Sequence, residues 1–262
     1  MSFSQISGVI SDMDGVLWQG DEPLPGLVEF FEFLRARGIP YVLATNNSSK
    51  TRADYLAKLA GMGVYNVSEQ HIVTSGTATA SYLCAHYPLD TPVHVFGSDS
   101  LRHVIREAGY RLTDEEDARV VVAGLDWELT YAKLKRAHYL ISRGADFIGT
   151  NPDTTYPAPG GPVPGTGSMI AALRAATGRE PVIIGKPFSP MYEAALSLLG
   201  TPLTKTLMIG DRLDTDISGA ATMGMPTALV LTGISTRADL NDGLQPDGVF
   251  DGLPALIGAL SA

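Results

Sequence analysis

Asp12 and Asp14 stand at i and i+2 in the run Asp12-Met13-Asp14-Gly15, directly after the apolar residues of Gly8 to Ser11. In extended backbone that spacing puts both carboxylates on one side of the chain. At neutral pH the two repel, so they call for a cation or a proton between them. A hard, oxygen-seeking ion such as Mg²⁺ suits them, and Gly15 permits the tight turn that has to follow. The same residue types also make an ordinary surface turn. A second acidic cluster, Asp211, Asp214 and Asp216, follows the apolar run Thr206 to Ile209. Asp211 is the first acid off that run, and Asp216 lies one helical turn on, where it can point back. Asp214 and Thr215 also fit the N-cap of a following helix.

Two further polar groups leave apolar runs. Thr45-Asn46-Asn47-Ser48 follows Tyr41 to Ala44, and its hydroxyl, amides and backbone N–H groups ahead of a helix can cradle an anion or cap that helix. Lys186, between Gly185 and Pro187, follows Val182 to Ile184. Each of these has a bland reading by itself. Together they place Asp12/Asp14, Thr45/Asn46, Lys186 and Asp211 at the ends of four strands, and the C-terminal edge of a parallel α/β sheet is where ligands bind.

The elements that must position these groups alternate. Strands are expected at Gly8 to Ser11, Tyr41 to Ala44, His71 to Thr74, Val182 to Ile184, Thr206 to Ile209 and Thr227 to Leu231. Helices are expected at Gly26 to Arg37 (ended by Gly38), Thr51 to Ala60, Thr77 to His86, Pro190 to Leu199 and Ile217 to Met223. That order predicts a parallel sheet with helices on both faces. The middle, 81–181, carries its own α/β pattern: strands at Val93 to Phe96, Val120 to Ala123 and Phe147 to Gly149, and helices at Leu101 to Ala108, Tyr131 to Ser142 and Ser168 to Ala176. A long Pro/Gly-rich loop, Asn151 to Gly167, separates the last of these strands and helices.

The 262 residues carry a formal charge of −9, which argues against a nucleic-acid polymer as partner, since that needs a basic face. A small anionic substrate remains compatible, because one bound cation and one lysine reverse the sign locally. Cys84 is the single cysteine and is expected to be a buried structural thiol. No apolar run reaches membrane-spanning length, and the first residues lack the pattern of a signal peptide, so the expectation is a cytoplasmic protein. None of the five histidines has metal-ligand spacing, and Trp18 and Trp127 lack an evident aromatic pairing. Gly165-Thr166-Gly167-Ser168 lacks the lysine of a nucleotide-triphosphate loop.

The runs DMDGVL, TNNS, GKP and GDRLDTD resemble, in order, the four motifs of the haloacid dehalogenase (HAD) phosphatase superfamily. The resemblance runs nearly end to end and points to the class IIA branch, which includes NagD, nitrophenyl-phosphatase-like and pyridoxal phosphate phosphatase-like enzymes. It implies a Rossmann-like parallel-sheet HAD core at 1–80 and 182–262, with an inserted α/β cap domain of that class at 81–181. It implies a Mg²⁺-dependent phosphatase of small phosphate monoesters, such as p-nitrophenyl phosphate or sugar or nucleoside monophosphates. Asp12 would be the nucleophile that forms an aspartyl-phosphate, and Asp14 the acid/base. Thr45, Asn46, Asn47 and Lys186 would hold phosphate. Asp12, the Asp14 carbonyl and Asp211 would hold Mg²⁺, with Asp216 behind them. Tyr156, in the cap loop Thr150 to Tyr156, would meet substrate or pack within the cap; a histidine is usual there in pyridoxal phosphate phosphatases, so Tyr156 weakens that substrate reading. A homodimer through the cap is a further family expectation.

Two rival readings fit less well. A phospho-aspartate signalling receiver is much shorter and lacks a base two residues from the acceptor. The other is different chemistry on the same fold, such as dehalogenation or phosphotransfer. Dehalogenases do not need the acidic metal site, and the 30 residues between Asp14 and Thr45 leave no room for the helical cap usual in mutases.

Overall fold

The computed structural model describes residues 3–158, 160–240 and 243–262. From the N-terminus, β1 (Gly8–Ser11) leads into a short hairpin, β2 (Trp18–Gln19) and β3 (Glu22–Pro23), followed by α1 (Leu27–Arg37), β4 (Tyr41–Thr45), α2 (Arg52–Gly61) and β5 (Ile72–Thr74). Next come α3 (Ser75–His86), β6 (Val93–Phe96), α4 (Asp99–Glu107), β7 (Val120–Ala123), α5 (Tyr131–Ser142) and β8 (Asp146–Gly149). The strands β9 (Thr155–Tyr156) and β10 (Val163–Pro164) precede α6 (Thr166–Thr177) and β11 (Val182–Ile183). The chain ends with α7 (Ser189–Leu199), β12 (Thr206–Gly210), α8 (Ser218–Met223), β13 (Thr227–Val230), β14 (Gly248–Phe250) and α9 (Leu253–Ser261).

The chain divides into two compact units. The first comprises Met1–Thr45, Arg52–Val73 and Lys186–Ala262; the second comprises Asn46–Thr51 and Thr74–Gly185.

The first unit is built on a six-stranded sheet of order β14-β13-β12-β1-β4-β5. β1 pairs in parallel with both β12 and β4, with Ser11 opposite Ile209 and Leu43. Every residue of β1, β12 and β13 is buried, as expected for parallel strands covered on both faces. Val9, Leu43, Leu207, Ile209 and Val230 share one core with Phe30 and Leu34 of α1 and Leu256 and Leu260 of α9. At roughly 2 kcal/mol per fully buried large apolar side chain, this layer is what fixes the strand ends in space. Gly38 closes α1 in the left-handed region (φ 62°), a conformation that disfavours a side chain.

The second unit carries a four-stranded sheet of order β11-β8-β7-β6, parallel throughout. Phe96, Val121 and Phe147 from that sheet pack with Leu140 and Ile141 of α5 and Ile170 and Leu173 of α6. β9 and β10 form an antiparallel pair. This hairpin lies within the Asn151–Gly167 loop, of which Pro159 lies outside the described residues.

Several expectations are corrected. Val182 and Ile183 join the four-stranded sheet beside β8, so they are no strand of the six-stranded sheet. Periodicity marks a strand but does not say which sheet it pairs with. Cys84 is exposed, because α3 turns Ala80 and Leu83 inward and carries the next residue about 100° round the helix. The hairpin β2–β3, the strand β14 and the helix α9 were not expected at all. The residues before α8 form a π-helical turn, Leu213–Ile217.

Candidate active site

β1 and β12 deliver the acids of the first unit. The Asp12 amide donates to the Ile209 carbonyl at 2.8 Å, so Asp12 leaves β1 as the last residue held by the ladder. Asp211 directly follows β12, and the π-helical turn brings Asp216 back toward it. Tyr192, fully buried in α7, ties that turn down: its hydroxyl donates to the carbonyls of Thr215 (2.9 Å) and Asp216 (3.1 Å). One carboxylate oxygen from each of Asp12, Asp211 and Asp216 lies within 4.8 Å of the others.

Lys186 enters this cluster. Its Nζ lies 2.6 Å from Asp12 Oδ1 and 2.8 Å from Asp216 Oδ1, and donates to the Ala44 carbonyl at 2.9 Å. The lysine side chain is 3% exposed and that of Asp216 is 1% exposed. Burial alone would depress the Lys186 pKa, but Asp12 and Asp216 outweigh it and hold the ammonium charged. Asp12 is pushed well above the usual carboxylate range, first by burial, with Lys186 opposing and Asp216 and Asp211 adding to the rise. Asp211 is pushed up to about 6, by burial and then by Asp216.

Asp211 also supplies a test of whether a cation fits. Its Oδ2 accepts the Ile234 amide at 2.7 Å, while its buried Oδ1 has no hydrogen-bond partner among the described residues. The backbone comes close on both sides: a Cβ at Gly233 would lie 1.9 Å from Asp211 Oδ2, and one at Gly15 (φ 83°) would lie 2.5 Å from the same atom. A buried carboxylate oxygen with no donor is costly unless a cation takes it. Three buried carboxylates face a single ammonium, and the all-oxygen donor set is that of a hard divalent ion.

Asp14 stands apart from that carboxylate group. It is exposed, and its Oδ1 accepts the indole N–H of Trp18 at 2.8 Å. Thr45, the last residue of β4, is buried in the first unit.

Asn46 and Asn47 belong to the second unit. There the Asn46 carbonyl accepts from Ser75 Oγ (2.6 Å) and Asn151 Nδ2 (2.7 Å). Asn47 Oδ1 accepts the Ser49 amide at 2.7 Å, and Asn47 Nδ2 donates to the Tyr156 hydroxyl at 3.2 Å. Tyr156 meets Trp127 edge-on, with ring centroids 5.2 Å apart. Trp127 is 57% exposed. Both tryptophans thus have aromatic partners, Trp18 lying near-parallel to Tyr55 at 6.4 Å. Pairings between residues this far apart in sequence leave no local trace.

Sequence reasoning missed Trp18 as a partner of Asp14, Tyr192 as the anchor of the acidic turn, and the loop Thr232 to Ser235 that holds Asp211. For Trp18 a signal existed: Gly20-Asp21 is a two-residue hairpin turn between Trp18-Gln19 and Glu22-Pro23. Gly233 is the trace of the third.

Comparison with known proteins agrees with this arrangement. Residues 9–111 match the family model of haloacid dehalogenase-like hydrolases, and residues 183–256 match a second, HAD-hydrolase-like model. The 5'-nucleotidase YutF of Bacillus subtilis is 38% identical over 94% of this chain and 95% of its own. The acid sugar phosphatase of Staphylococcus aureus is 35% identical over 98% of each chain. The crystal structure of a 4-nitrophenylphosphatase from Thermotoga maritima superposes with a TM-score of 0.93, at 37% identity over 99% of both chains. With acids at the ends of two adjacent parallel strands, a buried lysine between them and relatives matched end to end, this chain is an enzyme that belongs to the haloacid dehalogenase-like hydrolase family.

Proposed function

We propose that this protein is a Mg²⁺-dependent phosphatase that hydrolyses small phosphate monoesters through an aspartyl-phosphate on Asp12. The observation that carries the reading is Lys186 Nζ held between Asp12 and Asp216 beside a buried Asp211 oxygen that has no hydrogen-bond partner among the described residues. Nucleophile, fixed cation and room for a divalent cation then coincide at one strand end. The named activities of the relatives, on nucleotides, acid sugars and 4-nitrophenyl esters, support the reaction class and span several leaving groups.

In this reading Asp12 attacks phosphorus and displaces the alcohol. Asp14 gives the leaving oxygen its proton, then takes one from the water that attacks the aspartyl-phosphate. Lys186, charged and anchored on the Ala44 carbonyl, offsets the repulsion between carboxylate and phosphate dianion. Thr45, Asn46 and Asn47 hold phosphate oxygens. Asp12, the Asp14 carbonyl and Asp211 hold Mg²⁺, with Asp216 supporting them through Lys186. When bound, the metal supplies positive charge to the phosphoryl oxygens and keeps Asp12 ionised. Residues 81–181 act as the substrate-selecting insertion, with Tyr156 as its contact residue.

The test is phosphate release from p-nitrophenyl phosphate with and without Mg²⁺, in the native chain and in Asp12→Asn. Release is expected only with Mg²⁺ and Asp12 both present. An Asp12→Asn protein that turned over at the native rate would remove the nucleophile from the scheme.

A further inference from the structure

Trp18 has a feature that the family motifs do not call for. Its ring is fully buried, yet its Nε1–H reaches out to Oδ1 of the exposed Asp14 at 2.8 Å. The local backbone makes the same link: Asp14 and Trp18 are bridge partners, and the Gly15 amide donates to the Trp18 carbonyl at 2.8 Å. The indole is itself clamped by α2. Tyr55 lies near-parallel to it, and Lys58 places its Nζ 4.6 Å from the ring centroid while donating to the Gly20 carbonyl at 2.6 Å. A buried, immobilised donor aimed at one oxygen of a surface carboxylate restricts the rotation that the carboxylate would otherwise have.

We infer that Trp18 is a positioning residue for Asp14: by occupying Oδ1 it leaves Oδ2 as the oxygen that exchanges protons with substrate and water. The inference rests on the phosphatase reading above. In the first step the Oδ2 proton passes to the ester oxygen as the P–O bond breaks and the Asp12–phosphorus bond forms, releasing the alcohol. In the second, Oδ2 takes a proton from water as its oxygen bonds to phosphorus. The Asp12 carboxylate and inorganic phosphate are released. A carboxylate free to rotate would present either oxygen, at varied distance, to both steps. Misplacement of an acid/base by about 1 Å costs up to roughly 100-fold in rate.

The dependence on leaving group separates this role from a structural one. p-Nitrophenolate leaves without help, whereas an alkyl alcohol must be protonated as it departs. In Trp18→Phe, which keeps a ring but loses the N–H, kcat/KM for an alkyl monophosphate such as glycerol phosphate should fall about 10-fold further than kcat/KM for p-nitrophenyl phosphate. A merely structural loss lowers both in proportion and leaves their ratio unmoved, which would overturn the inference. Should Trp18→Phe not fold, 3-benzothienylalanine at position 18 keeps the bicyclic shape with sulfur in place of N–H, and the same ratio is read. A second measurement needs neither metal nor turnover. The chain has two tryptophans, so a ¹⁵N spectrum shows two indole N–H resonances, assigned with Trp127→Phe. Asp14→Ala should shift the Trp18 resonance and leave the other in place; an unmoved Trp18 signal would also overturn the inference. No phosphate release by the native chain from either ester would overturn the phosphatase reading and this inference together.

Discussion

Replacing Lys186 by methionine removes the single ammonium from a group of three buried carboxylates. The lysine is 3% exposed and touches Asp12 at 2.6 Å and Asp216 at 2.8 Å. Methionine approximates its volume, so the packing loss is small and the cost is electrostatic. Breaking a buried ion pair from one side costs about 3–5 kcal/mol, because the remaining charge is left uncompensated. For a chain of this size that corresponds to a fall in Tm of roughly 6–20 °C. The pH dependence has a definite sign. Asp12 is already held above its ordinary value by burial, with Lys186 opposing, so the substitution raises it further. A carboxyl whose folded pKa exceeds its unfolded one loses stability as pH rises through that window, so the deficit should be largest near about pH 8 and should shrink by about pH 5. Mg²⁺ should stabilise the variant, by about 2.7 kcal/mol when present at 100-fold over the variant's own dissociation constant. Thermal melts of Lys186→Met and the native chain, at both pH values and with or without Mg²⁺, check every part. Equal Tm values near about pH 8 without divalent ion would refute the electrostatic account.

Two other outcomes follow from the site. Asp14→Asn should slow breakdown of the phospho-enzyme, so rapid-quench experiments should find it accumulating, and normal turnover would count against Asp14 as acid/base. Asp211, held near about 6 when no metal is bound, should make apparent Mg²⁺ affinity fall up to roughly tenfold per pH unit below that value, as protons compete for its carboxylate. Calorimetric titration across that range measures the slope, and an affinity independent of pH would exclude Asp211 as a ligand.

Much of this site was legible because parallel sheets write it into sequence in a simple form. A buried strand reads as an unbroken apolar run, and a polar residue placed immediately after it must sit at the sheet's edge; Asp12 and Asp211 both follow that rule. Lys186 obeyed it only in part. The run before it is a strand, but one that pairs with β8 of the other sheet, and the lysine reaches Asp12 after the chain has left that sheet. Short elements fared worst. β14 has three residues and β2 two, too few for any period to show. α9 is apolar over most of its length, so its composition did not distinguish helix from strand. The indole bond to Asp14 depends on a hairpin of that kind, whose only trace in the sequence is the Gly20-Asp21 turn.

The placement of Asn46–Thr51 with the second unit bears on how portable that unit is. The chain passes between units four times, and two of these crossings, Thr45–Asn46 and Gly185–Lys186, fall inside runs that the sequence marks as functional. A graft that exchanged only 81–181 with a relative would transplant Asn151 and Tyr156 while leaving behind Ser75 and the asparagines they bond. The exchangeable module is therefore discontinuous: the hexapeptide Asn46–Thr51 has to travel with Thr74–Gly185 for these hydrogen bonds to be kept.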